Sequence, residues 1–309
     1  MIEIDPALLA GWPLPQPESH GDKEGRGRTL VIAGSREMPG AAWLAAVSAL
    51  RAGAGKLQVA TAASVAAGLA LRLPEARVIA LPETSTGGLA LAGIALLEPL
   101  LARTDAVVIG PGLQDEAATL AFTRRLMAST PTEAAWVLDA QAMSVVIDGA
   151  AFSRPPLLTP HAGEMAHLTG MEKDAVEADP AGAAREAARR WNAIVAVKGA
   201  TTIIAAPDGR TWRHAGGHVG LATSGSGDTL AGIVAGLAAR GAPLEQAAAW
   251  GVAVHARAGL ALAERVGPLG YLAREIPGEV PRLLDTLARG ERGSERGSER
   301  GGQRSGERR

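Results

Sequence analysis

The 309-residue chain contains no cysteine, which excludes disulfides, thiolate metal ligands and a cysteine nucleophile and fits a reducing compartment. Aromatic residues make up 3% of it, too few to build the stacking platforms of single-strand nucleic-acid binders. Neither sign of charge dominates. The formal net charge is -1, so no basic field advertises nucleic acid or an anionic membrane. No uninterrupted apolar run reaches membrane-spanning length, and the start, M-I-E-I-D-P, lacks the regions of a signal peptide. The expectation is a cytoplasmic protein with neither nucleic acid nor membrane as partner.

What is plentiful is small and aliphatic. Hydrophobic residues make up 47% of the chain, enough for one large core, and the shortage of aromatics requires helices and strands to approach closely. From residue 28 short β-branched runs alternate with alanine-rich segments, the pattern of parallel strands joined by covering helices. Strands are expected at 29–33, 56–61, 77–81, 106–109, 136–139, 157–159 and 194–198. The clearest helices are 41–52, 91–102, 116–128, 162–168, 181–191, 228–239 and 244–266. The fold class is therefore α/β, a doubly wound and mostly parallel sheet with helices on both faces. After Lys198, T-T-I-I-A-A and T-W-R-H-A flank an Asp-Gly turn, the signature of a hairpin that adds an antiparallel edge. One domain is expected over 1–289. Residues 290–309 repeat E-R-G-S without an apolar residue and are expected to form a disordered charged tail. Helix faces rich in alanine and glycine suggest a homo-oligomer.

The segment that carries most chemistry is G-L-A-T-S-G-S-G-D-T-L-A-G, starting at Gly220. Gly225 and Gly227 let backbone N–H groups crowd around an anion, and the helix that follows offers its unpaired first-turn N–H groups and positive dipole end at the same spot. Asp228 admits two explanations. It is either a base that takes a proton from a hydroxyl about to meet a phosphoryl group, or an ordinary helix N-cap. Four strand ends carry polar or glycine residues that packing does not demand: Gly110-Pro111-Gly112, Asp139-Ala140-Gln141, Thr159 to Glu164, and Lys198 to Thr202. All would lie on one rim, where open α/β sheets bind ligands. Lys198, Gly199, Ala200, Thr201 and Thr202 would set a cation and two hydroxyls beside a nucleotide's phosphates. His214 and His218 fall in a hairpin and a glycine turn with no clustered carboxylate, which does not suggest zinc, no P-loop or dinucleotide fingerprint is complete, and Ser226 lacks the strand that precedes a nucleophile elbow.

Together G-R-T-L-V-I-A-G-S-R-E-M-P-G-A-A, A-L-R-A-G-A-G, V-I-G-P-G-L, V-L-D-A, L-T-P-H-A-G-E-M, V-K-G-A-T-T and G-L-A-T-S-G-S-G-D-T-L-A-G resemble the ADP-dependent (S)-NAD(P)H-hydrate dehydratases of the ribokinase-like superfamily. The resemblance spans roughly residues 19–288. It implies a repair enzyme that uses ADP, with magnesium, to phosphorylate the ring hydroxyl of hydrated NADH or NADPH, after which phosphate leaves and AMP is released. It implies Asp228 as the base and the Gly225 to Gly227 amides as the anion hole. Lys198, Gly199, Ala200, Thr201, Thr202 and Gly227 match the family's nucleotide-contacting positions, and Ala41, Gly112, His161 and Asp228 those contacting the hydrated substrate. Two departures stand out. Gln141 replaces a carboxylate in D-A-Q-A-M, weakening any role of that loop in holding magnesium, and His218 stands in G-H-V-G where members read G-N-P-G. Members often carry an amino-terminal epimerase domain; here that partner is expected as a separate protein. The rival readings are an ATP-dependent kinase of a small hydroxylated vitamin precursor and a non-catalytic nucleotide-binding protein.

Overall fold

Leu30 and Ile32 pack into one hydrophobic core, while Val31 and Ala33 between and beside them pack into another. The same alternation runs through Ala106 to Ile109, Ala135 to Leu138 and Ile194 to Val197, so a single sheet is buried on both faces. The computed structural model describes residues 1–16, 23–129, 132–147, 152 and 154–289; the charged repeat at 290–309 lies outside them.

Among the described residues the strands are β1 (Ile2–Glu3), β2 (Arg28–Ile32), β3 (Lys56–Ala62), β4 (Ala76–Leu81), β5 (Ala106–Ile109), β6 (Ala135–Leu138), β7 (Leu157–Leu158), β8 (Ile194–Val197), β9 (Thr201–Ala205) and β10 (Thr211–Ala215). The helices are α1 (Pro6–Gly11), α2 (Pro39–Arg51), α3 (Ala63–Arg72), α4 (Ile94–Leu101), α5 (Glu116–Ser129), α6 (Ala162–Thr169), α7 (Lys173–Ala178), α8 (Pro180–Trp191), α9 (Ser226–Ala239), α10 (Leu244–Arg265) and α11 (Ile276–Arg289). The sheet order is β1-β10-β9-β8-β7-β6-β5-β2-β3-β4. Strands β2 to β8 pair in parallel with their neighbours, whereas β9 is antiparallel to both β8 and β10. The hairpin expected from the Asp-Gly turn forms, with the two-residue β1 added parallel to its outer strand. No helix of the described residues is long and apolar enough to cross a membrane.

The sequence reading begins the strands at Thr29 and so passes over β1 and α1, which are too short to show a period. It also leaves out α3, α7, α11 and the 3-10 turn Ala140–Val146. The helix expected from Asp228 starts two residues earlier, at Ser226.

Helices α2 and α9 pack unusually closely. A Cβ at Gly232 would stand 2.2 Å from the Ala45 carbonyl oxygen, and one at Gly236 would stand 2.4 Å from that of Ala49. Glycine at these two positions is thus a packing requirement, and it lets the backbones of α2 and α9 approach each other. The chain runs outward through β2, β3 and β4, then returns to pair β5 with β2 on its other side. That reversal opens a crevice at the carboxyl ends of β2 and β5.

Candidate active site

The crevice is lined by the loops after β2 and β5. Gly34 donates its N–H to the Pro111 carbonyl at 2.8 Å, tying the two loops together. Gly112 has φ +62, and a Cβ there would lie 2.5 Å from Ala41 Cβ and 2.8 Å from the Met38 carbonyl oxygen. Ala41 and Gly112, far apart in sequence, are therefore neighbours at the switch point.

Across from them α9 begins. Its N-cap is Gly225, in the left-handed region at φ 89, with no side-chain cap. Asp228 is the third residue of the helix and does not cap it, which removes the N-cap explanation. The Ser226 N–H is already engaged by the Thr223 carbonyl at 3.2 Å. Among the described residues the amides of Gly225 and Gly227 make no such backbone bond, so neither has a backbone acceptor. The Asp228 carboxyl is partly buried. Burial first, and the charge of Asp139 second, push its pKa up to about 6 against the opposing pull of Lys198.

Lys198 leaves the end of β8 and meets this helix start, since a Cβ at Gly227 would lie 3.4 Å from its Nζ. The ammonium stands 3.3 Å from Asp139 Oδ1 and 3.8 Å from Glu164 Oε2. Burial works against its charge, but Asp139, Glu164 and Asp228 outweigh it and hold the pKa above the ordinary lysine value. Asp139 is buried and also accepts a hydrogen bond of 2.6 Å from the Thr159 hydroxyl. It follows β6 immediately, one residue beyond the strand end expected to include it.

His161 is the N-cap of α6. Its Nδ1 accepts the N–H groups of Gly163 and Glu164 at 3.0 and 3.1 Å, while Glu164 Oε2 accepts the His161 N–H at 2.7 Å. This is a capping box in which histidine takes the usual serine or threonine position. A cavity of about 570 Å³ opens between this helix start and the segment after β8, lined by His161, Gly163, Lys198, Gly199, Ala200 and Thr201. Thr202 does not line it: the next residue of β9, it is buried with its side chain alternating to the opposite face of the sheet.

The expected site residues thus fall into connected groups on one rim, with Asp228, Gly225, Gly227 and Lys198 at the centre. Lys198 joins them to His161 and the cavity through Glu164 and Thr201, and Ala41 meets Gly112 on the other side. Three contributors were passed over as site residues. Asp139 and Thr159 are visible only as polar residues at strand ends, and Glu164 shows itself through the three-residue spacing from His161. Gln141 has its Oε1 buried without a hydrogen-bond partner, beside a smaller cavity that it shares with Glu116, His161 and His167. His218 caps the turn Val219–Leu221 by accepting the Gly220 N–H at 3.1 Å, and its ring lies 6.5 Å from that of Tyr271.

The NAD(P)H-hydrate dehydratase family model matches residues 29–282. A Xanthomonas campestris ADP-dependent (S)-NAD(P)H-hydrate dehydratase is 52% identical over 93% of this chain and 97% of its own length. A Moorella thermoacetica bifunctional NAD(P)H-hydrate repair enzyme is 37% identical over 91% of this chain, which spans 54% of that relative. Among solved structures, the Bacillus subtilis ADP/ATP-dependent NAD(P)H-hydrate dehydratase co-crystallized with ATP and Mg2+ is similar with a TM-score of 0.80 at 27% identity, covering 93% of this chain and 98% of that one.

Proposed function

The chain belongs to the NAD(P)H-hydrate dehydratase family, and from that premise we propose how its own residues carry the reaction. It is an ADP-dependent carbon–oxygen lyase that repairs hydrated nicotinamide nucleotides. ADP occupies the cavity beside Gly199 to Thr201, with its terminal phosphate between Lys198 and the start of α9. The hydrated ring lies at the switch point where the loops of Ala41 and Gly112 meet, and it presents its hydroxyl to Asp228.

Asp228 takes the hydroxyl proton as the oxygen attacks the terminal phosphorus of ADP, and AMP departs. A carboxyl with a pKa of about 6 is ionised at neutral pH yet more basic than an ordinary aspartate, which suits that task. The amides of Gly225 and Gly227 meet the charge on the transferring group. The phosphorylated ring then has a good leaving group beside a ring nitrogen. The nitrogen lone pair expels phosphate, the neighbouring carbon gives up a proton to it, and the double bond returns. Asp139 and Glu164 hold the Lys198 ammonium towards the phosphates.

A resident magnesium does not fit these residues. Among the described residues no group of three His, Asp or Glu side chains is arranged to hold a metal ion, and Asp139 is committed to Lys198 and Thr159. Magnesium therefore belongs to the nucleotide, entering as its complex, with phosphate oxygens and water as ligands.

The single observation that carries this mechanism is the meeting of Asp228, Lys198 and Gly227 at one helix start. Incubating the purified protein with hydrated NADH, magnesium and either ADP or ATP, while following absorbance of the dihydronicotinamide, tests it. The expected products are NADH and an equal amount of AMP from ADP. A stable phosphorylated alcohol made from ATP, with hydrated NADH untouched, would replace the dehydratase by a kinase.

A further inference from the structure

Beneath the anion-binding turn lies a histidine with no part in the steps above. His255, in the middle of α10, is buried, and its Nε2 stands 3.0 Å from the Ser226 carbonyl oxygen and 3.1 Å from Ser226 Oγ. A carbonyl can only accept, so Nε2 carries the proton. The ring is neutral, because burial, with a smaller contribution from the charge of Lys198, brings its pKa down to about 4 despite the contact with Ser226. A protonated Nε2 cannot remove the serine proton. Ser226 and His255 are thus not a nucleophile and its base, although their distance alone would allow it.

The consequence lies in the peptide unit. The Ser226 carbonyl and the Gly227 N–H belong to one planar trans amide, so they point in opposite directions and turn together. Besides its place in the helix ladder, the carbonyl is held by two side chains, His255 Nε2 and the Thr229 hydroxyl at 2.6 Å. With the Ser226 N–H already bonded to Thr223, the Gly227 N–H is the first amide inside α9 that is left for an anion. We propose that His255 is a positioning residue for phosphoryl transfer: by pinning the Ser226 carbonyl inward it aims the Gly227 N–H at the transferring phosphoryl group.

This rests on the rim being the phosphoryl-transfer site, and the test separates the two claims. The full chain with His255→Leu and with His255→Gln is compared with the unsubstituted protein for ADP-dependent turnover of hydrated NADH, for ADP affinity by calorimetry, and for Tm. Leucine removes the donor, and kcat should fall roughly tenfold to a thousandfold while the Kd for ADP changes less than about threefold, because an aimed amide acts mainly in the transition state. Glutamine can still donate an N–H to the carbonyl, and should recover most of the lost kcat. A merely structural histidine would make both variants lose Tm without splitting kcat from Kd. If His255→Leu fails to fold, Thr229→Val removes the other side-chain hold on the same carbonyl with little change of shape. It should lower kcat severalfold at unchanged ADP affinity. Unchanged kcat in folded His255→Leu, or in Thr229→Val when the leucine variant does not fold, overturns the proposal. Failure of the unsubstituted protein to turn over hydrated NADH would instead overturn the reading of the rim.

Discussion

Asp139 Oδ1 stands 3.3 Å from Lys198 Nζ and accepts the Thr159 hydroxyl at 2.6 Å, so the cation proposed to face the nucleotide is held by a buried carboxylate that is itself fixed. Lys198 pays for its low exposure of 19% with carboxylates on three sides, and these raise its pKa despite burial. It stays charged at any working pH and has little freedom to turn away.

Lys198→Ala should therefore weaken ADP binding by about 1–3 kcal/mol, the range for a charge-assisted contact in a partly desolvated site. Calorimetry with ADP and with AMP reads it. The loss should be larger for ADP, whose terminal phosphate the ammonium faces. Equal affinities before and after substitution would return Lys198 to a purely structural pairing with Asp139.

Asp228→Asn should lower turnover by roughly two to four orders of magnitude and leave nucleotide affinity nearly intact, as expected of a base that acts in the transition state. In the unsubstituted protein the base must be ionised. Log kcat/KM should fall with unit slope as pH drops through about 6. A profile flat from pH 7 to pH 5 would exclude this carboxyl as the base.

The same carboxyl has an opposite effect on stability. Its pKa is raised in the folded chain, so the native state binds that proton more tightly than the unfolded state does. The stabilisation is complete below the ordinary value of 3.8 and is lost as pH rises through about 6. At neutral pH the ionised group weakens the fold, and Asp228→Asn should be more stable than the unsubstituted protein by on the order of 1–3 kcal/mol. That advantage should vanish near pH 4. Denaturant melts at the two pH values check both halves.

The central sheet is legible from the sequence because burial on both faces makes its strands continuous apolar runs, as in Leu30-Val31-Ile32 and Val107-Val108-Ile109. The start of the chain is less so: β1 has two residues and α1 has six, too few for a period to show. At the site, the glycines and Lys198 declare themselves by type at strand ends and a helix start, where open α/β sheets bind ligands, although Gly112 and Gly225 are also required by close approach to Ala41 and Leu44. Asp139, Thr159 and His255 do not, for each works through a partner distant in sequence. His255 in particular reads as one polar residue in an alanine-rich helix until α9 is laid across it.

Close packing of α2 on α9 predicts a contrast between two glycines. Gly232→Ala drives a methyl against the Ala45 carbonyl oxygen, 2.2 Å away, and should cost about 2 kcal/mol or more by forcing the helices apart. Gly68, exposed within α3, has no heavy atom within 4 Å of where its Cβ would stand. Its replacement by alanine should stabilise the chain by about 0.5–1 kcal/mol through helix propensity alone. Urea midpoints of the two variants give the comparison directly.

His161, which caps a helix start, is also proposed to contact the hydrated substrate, and a pair of substitutions separates the two roles. It caps α6 through Nδ1, yet its side chain is 60% exposed on the rim, where the ring can meet the hydrated substrate. His161→Ala removes both and should lose about 1 kcal/mol of stability with the cap as well as raising the KM for hydrated NADH. Asparagine is among the best N-caps, so His161→Asn should keep the two amide bonds, the position of Glu164 beside Lys198, and the melting temperature. If the ring positions substrate, the asparagine variant still shows a KM for the hydrate raised severalfold with ADP affinity little changed. If His161→Asn restores KM together with stability, the histidine acts through the helix start alone, and the contact with the hydrated ring must be sought at Ala41, Gly112 and Asp228.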